Sequence, residues 1–124
     1  MYMNHEHYSD PTASMAILQQ ARAERAARRA AERMMVQEML VCLRREPDRF
    51  VQLVKGAPDE PPCLLCSIGG RYVAFGLASI GPDSRQSRMF HRIGASGGLT
   101  YRITSIPELE DILLRLEGLV ERPC

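Results

Sequence analysis

The stretch CLLCSIGGRYVAFGLAS, Cys63 to Ser79, constrains the fold more than any other part of the chain. Two blocks rich in apolar, β-branched and aromatic residues flank the pair Gly69-Gly70. A glycine pair between two such blocks marks a two-residue turn, because both central positions of that turn need positive φ. The stretch therefore predicts CLLCSI as a strand and RYVAFGLAS as its antiparallel partner, the second one buried. Gly76, Ala78 and Ser79 stand at the far end of that partner. Ends of strands commonly carry catalytic side chains, yet none of these three can hold a metal ion or move a proton at neutral pH.

The helices that would cover such a hairpin are equally legible. From Thr12 or Ser14, either of which is a plausible N-cap, a helix runs to just before Pro47. At 1.5 Å per residue it is roughly 45 Å long. Its second half carries Met35, Val36, Met39, Leu40 and Leu43 at helical spacing, a stripe that belongs on a core. Its first half is mostly Ala and Arg, with Arg22, Arg25, Arg29 and Arg33 on one face. Two readings stand for that half: a solvated arm partly neutralised by Glu24 and Glu32, or a contact with a second copy or an acidic partner. Downstream, Pro82, Asp83 and Ser84 start a helix through SRQSRMFHRIG that ends near Gly94. Gly97-Gly98 breaks the chain again, LTYRIT follows as a strand, and Ser105 to Glu108 (SIPE) forms a capping box for a last helix with a Leu109, Ile112, Leu113, Leu116 stripe.

DRFVQLVKG, Asp48 to Gly56, fits either a strand or a short helix capped by Gly56. GAPDEPP after it is a loop. The order is helix, possible strand, hairpin, helix, strand, helix, which predicts an α/β fold with a small mixed sheet flanked by helices. We divide the chain into a flexible tail (1–12), a long Arg/Ala-rich helix (13–46) and an α/β core (47–124).

Composition narrows the setting. The 124 residues suffice for one hydrophobic core. No apolar run approaches the ~20 residues of a membrane span, and MYMNHEHYSDP is no apolar leader, so a cytoplasmic protein is expected. Four scattered cysteines make no disulfide framework. Lys55 is the single lysine among sixteen basic residues. The arginine excess suits bidentate contacts to phosphate or carboxylate, and it equally suits a GC-rich genome.

Few residues offer chemistry. Cys63 and Cys66 have Cys-x-x-Cys spacing, but a zinc site wants a second pair, and Cys42, Cys124 and His91 show no matching spacing. On a strand, an offset of three sends the two sulfurs to opposite faces, so buried packing is expected. His5 and His7 lie in the tail. His91 has no acidic orienter nearby in sequence, and GASGG lacks the phosphate-loop pattern and its lysine.

One pattern spans half the chain. Gly56, Pro58 and Asp59, a hairpin, GGR at Gly69 to Arg71, a helix with Gln86, the Gly97-Gly98 break and SIPELEDIL follow one another in order. This resembles the VRR-NUC family of the PD-(D/E)XK nucleases, whose members show a G-x-P-D segment, a strand ending in E-x-K and a helix carrying Gln. The resemblance implies a restriction-endonuclease-like core. It also implies catalytic positions at Asp59, Gly76, Ala78 and Gln86, of which two are degenerate: Gly76 stands for the metal-binding Glu and Ala78 for the Lys. That chemistry needs carboxylate oxygens for Mg²⁺ and an ammonium beside the attacking water. Between Glu60 and Asp83 there is no acid and no lysine, so a shifted alignment does not restore the site. Asp59 with Glu38 would bind Mg²⁺ poorly, and recruitment of Glu60 or Asp83 is the remaining route to a nuclease.

The expectation is thus a catalytically inactive, nuclease-like binding protein without cofactor or metal. It would be an accessory or inhibitory factor of phage or mobile-element type, possible also as an anti-defence product, acting on a nucleic-acid-processing complex or on nucleic acid. Arg71, Arg85, Arg88, Arg92 and Arg102 are its candidate binding residues; salt bridges to the acidic last helix are the competing explanation for them. The alternatives are a residual Mg²⁺-dependent nuclease and a homo-oligomeric assembly protein, a homodimer joined through the long helix.

Overall fold

The computed structural model describes residues 11–121; His5, His7 and Cys124 lie outside that range, as does the expected tail up to residue 10. The elements are α1 (Pro11–Leu43), β1 (Phe50–Val54), β2 (Cys63–Ile68), β3 (Arg71–Leu77), α2 (Arg85–Ala95), β4 (Leu99–Ile103) and α3 (Ile106–Glu121). The expected α/β class and the mixed sheet are present.

Sheet order is β1-β2-β3-β4. The first three strands form an antiparallel meander. Gly69 and Gly70 close its second turn with φ of 58° and 80°, values that side-chain-bearing residues rarely adopt. β4 then pairs parallel to β3, and α2 supplies the crossover that a parallel pair requires.

The ambiguous segment DRFVQLVKG is a strand. It forms a full ladder with β2, from Phe50 opposite Ser67 to Val54 opposite Cys63. Gly56 caps no helix. A Cβ there would lie 2.6 Å from the Pro61 carbonyl oxygen, so glycine lets the GAPDEPP loop fold back on itself. α1 also differs at its start from its expected bounds. Within the described residues it runs from Pro11, which places Thr12 and Ser14 inside the helix and not at its cap. It ends at Leu43, short of Pro47, where the Arg49 guanidinium donates to the Leu43 carbonyl at 3.2 Å and satisfies a helix-end acceptor.

Strand alternation sorts the core into two faces. On one, Leu64, Cys66 and Ile68 of β2, Val73, Phe75 and Leu77 of β3, and Ile103 of β4 pack with Val36, Met39, Leu40, Cys42 and Leu43 of α1 and with Leu109, Ile112, Leu113 and Leu116 of α3. These are the two predicted stripes, with Cys42 added and Met35 only half-buried. The Phe75 and Tyr101 rings stack at 5.6 Å within this layer. On the other face, Cys63 and Ala74 pack with Phe90 of α2, flanked by Val54, Leu65, Met89 and Ile93. Cys63 and Cys66 therefore sit on opposite faces, as their spacing predicts.

The chain divides at Ala31 into two compact units. In the first, Arg22, Arg25 and Arg29 are exposed, as are Met15, Ile17 and Leu18. Arg33, at the start of the second, is exposed too. The last helix is capped as expected at Ser105, whose hydroxyl accepts from the Glu108 amide. Glu108 reaches back one residue further than in the usual box, accepting from the Thr104 amide at 2.7 Å and the Thr104 hydroxyl at 3.0 Å. No helix among the described residues is long and apolar enough to cross a membrane.

Candidate functional site

Alternation along β3 points Ala74 and Gly76 toward α2. Ala78 follows just beyond the strand, exposed, its amide held by the Ile103 carbonyl. α2 is amphipathic in the ordinary way: Ser84 caps it by accepting from the Ser87 amide, and Gln86 and Phe90, four residues apart, are its two buried side chains. Both fall on Gly76. A Cβ at Gly76 would lie 2.6 Å from Gln86 Oε1 and 2.9 Å from Phe90 Cζ. Real Cβ atoms do not approach that closely, so the space a longer side chain would need is already filled.

Gln86 is held in place from the other end, where Nε2 donates to the Pro61 carbonyl at 3.0 Å. Its Oε1 is buried without a hydrogen-bond partner among the described residues. The Gly56–Pro58 loop, Glu60, Arg85 and Gln86 line a cavity of about 260 Å³. Within it, Glu60 accepts from the Arg85 amide at 3.1 Å, a carboxylate at a helix start, where it is favourable. Asp59 is exposed on this loop and is not part of that lining.

These residues do not fit a divalent cation. Asp59 is solvated, Gly76 and Ala78 offer no donor, Gln86 contributes one neutral oxygen, and Glu60 is engaged by a backbone amide. Among the described residues no group of three or more His, Cys, Asp or Glu side chains comes together. Cys63 and Cys66 do not alter this. Burial, reinforced by Glu60, pushes the Cys63 thiol up to about 11. Burial outweighs the nearby Arg49 and pushes Cys66 up to about 12. Both stay protonated at neutral pH, whereas the thiolate is the form that ligates and reacts.

The opposite flank of α2 is different. Between α2 and β4 runs a groove of about 830 Å³, lined by Arg88, His91 and Arg92 of the helix, Thr100 and Arg102 of the strand, and Ser87 and Phe90 at its floor. No carboxylate of the described residues lines it. Arg102 stands opposite Gly76 in the parallel ladder. Its guanidinium lies over the Phe90 ring, 5.0 Å from the centroid, and Nη2 donates to Ser87 Oγ at 2.8 Å. Ser87 in turn donates to the Gly81 carbonyl at 2.6 Å and accepts from Ser84 Oγ at 3.1 Å, so its oxygen receives both Ser84 and Arg102.

Of the five arginines singled out from sequence, the structure brings Arg88, Arg92 and Arg102 together. Arg85 lies at the start of α2 against the smaller cavity, and Arg71 is exposed beside the β2–β3 turn. Among the described residues none of them pairs with the acidic last helix, the competing explanation for them. α3 packs on the other face of the sheet, and its acids take other partners: Glu110 pairs with Arg45 at 3.2 Å, Glu117 with Arg49, and Asp111 with Arg115 at 3.4 Å. Phe90 and Ser87 escaped the sequence reading. The Gln86–Phe90 spacing of four was the available signal for Phe90; nothing in the sequence marks Ser87.

No family model, no curated protein and no solved structure matches this chain.

Proposed function

We propose that this chain is a non-catalytic, nuclease-like protein that binds the phosphate backbone of nucleic acid in the α2–β4 groove. The observation that carries the reading is the groove itself: three arginines and a histidine gather there with no carboxylate of the described residues in its lining, while Glu110 and Glu117 of the acidic helix pair elsewhere. Lys and Arg that meet phosphates release condensed counterions, and this term supplies most sequence-independent affinity. The order of the GAPD loop, hairpin, β3, the Gln86 helix, the glycine break, β4 and α3 supports the VRR-NUC-like resemblance, as does the approach of Gln86 to Gly76. The filled space at Gly76 favours binding over cleavage.

The test is fluorescence anisotropy with labelled single-stranded and duplex DNA and RNA in EDTA. Binding should weaken steeply between about 50 and 200 mM salt. Failure to bind any of these at low salt refutes the reading. Incubating plasmid with Mg²⁺ or Mn²⁺ tests the nuclease alternative, and cleavage lost in Asp59→Ala would establish it instead.

A second reading, self-association through the first half of α1, is favoured by Met15, Ile17 and Leu18, which are 59%, 67% and 56% exposed. Light scattering at several concentrations decides it; a strict monomer rules it out.

A further inference from the structure

Among the described residues two arginines are half-buried, Arg49 and Arg102. Their surroundings differ in one respect. Arg49 is neutralised by Glu117 and also caps the Leu43 carbonyl. Arg102 has no carboxylate partner among the described residues. It makes one hydrogen bond, to Ser87, and rests on an aromatic face. Withdrawing a cation from water without a counter-charge is unfavourable. An anion in the groove would offset that cost. A guanidinium carries five N–H donors in a fixed fork, and Arg102 commits one nitrogen to Ser87, so donors remain for a ligand on a group whose orientation is already set.

Position adds to this. Arg102 is the ladder partner of Gly76, the residue standing where the resemblance puts a metal-binding acid. We infer that Arg102 is the fixed cation that meets a backbone phosphodiester in this protein, in the role a divalent ion would play in a cleaving relative, with Arg88 and Arg92 holding neighbouring phosphates. The inference rests on the nucleic-acid reading above and deepens it: the site takes a phosphodiester, needs no metal, and depends on the planarity of one guanidinium. Ser87 and Phe90 are positioning residues for it. A lysine at 102 keeps the charge but loses the fork and the flat contact with Phe90.

The experiment compares the full chain with Arg102→Lys, Arg102→Ala, Ser87→Ala and, as a control at an exposed arginine outside the groove, Arg44→Ala, each checked for an unchanged circular dichroism melt. Anisotropy is read with a labelled oligonucleotide in EDTA and then in Mg²⁺. Arg102→Lys should lose about tenfold or more in affinity, the value of one charge-assisted hydrogen bond. Arg102→Ala should also flatten the log–log salt dependence by about 0.7–0.9, one phosphate contact. Ser87→Ala should fall between the parent and Arg102→Lys, Arg44→Ala should match the parent, and Mg²⁺ should not strengthen binding. If the parent binds while Arg102→Lys stays within about twofold of it, the anchor is misassigned and the wider reading stands. Binding that requires Mg²⁺ overturns the metal-independent role. If the parent binds no oligonucleotide, the wider reading fails and this inference with it.

Discussion

Substituting Gly76 by alanine probes the packing on which the site depends. A methyl group at residue 76 meets Gln86 Oε1 at 2.6 Å and the Phe90 ring tip at 2.9 and 3.0 Å. Neither neighbour yields easily. Gln86 is buried and tied to Pro61, and the Phe90 ring is 3% exposed beneath the Arg102 guanidinium. Overpacking of this kind typically costs about 1–3 kcal/mol. Alanine recovers about 0.5–1 kcal/mol of backbone entropy relative to glycine within a strand. The net expectation is a destabilisation of roughly 0.5–2 kcal/mol, or a melting temperature lowered by about 2–8 °C for a chain of this size. Urea or thermal unfolding followed by circular dichroism reads it directly. Phe90→Leu withdraws the ring tip at its own cost, so the double variant should be more stable than the two single losses predict, with a coupling of about 0.5 kcal/mol or more. A Gly76→Ala protein as stable as the parent, or additive losses in the cycle, would refute the argument that Gln86 and Phe90 fill this space.

Three further outcomes are expected. Glu117→Gln removes the counter-charge of half-buried Arg49 and should cost about 2 kcal/mol in urea unfolding, whereas Asp111→Asn, in an exposed pair, should cost no more than about 0.5 kcal/mol. Ser105→Ala removes the α3 cap and should cost about 1 kcal/mol. The raised thiols of Cys63 and Cys66 bind protons more tightly in the folded than in the unfolded chain. Their stabilisation is therefore complete below the ordinary thiol value of 9.0 and lost as pH climbs through about 11 and 12. The urea midpoint should fall as pH rises above 9, less so in Cys66→Ala, and native thiols should react slowly with a disulfide reagent until the protein unfolds.

Local chemistry made much of the fold legible. Gly69-Gly70, Ser84 and Ser105 mark a turn and two helix starts by requirements that neighbours in sequence alone impose, and each stands where expected. The stripes on α1 and α3 and the opposed cysteines follow from period alone. β1 is not decidable from sequence, because Phe50, Gln52 and Val54 alternating with Val51 and Leu53 suit either period; pairing with β2 settles it. α1 stops before Pro47 as expected, and the group that caps its last turn, Arg49, acts from beyond the helix. At the site, a list of arginines was readable but their grouping was not. Arg102 joins Arg88 and Arg92 only because the parallel register sets β4 beside Gly76, and the locking of Arg102 by Ser87 and Phe90 belongs to tertiary structure entirely.

The parallel pairing of β4 also governs the order of assembly. β1, β2 and β3 close on one another across short loops, so their ladders form with little loss of chain freedom. β4 joins only after α2 has been threaded across the sheet, and it is the one strand among the described residues that pairs without a short loop to its neighbour. The groove, which needs α2 and β4 together, is thus expected to form after the antiparallel hairpin and to open before it, and its amides should exchange with deuterium ahead of those between β2 and β3.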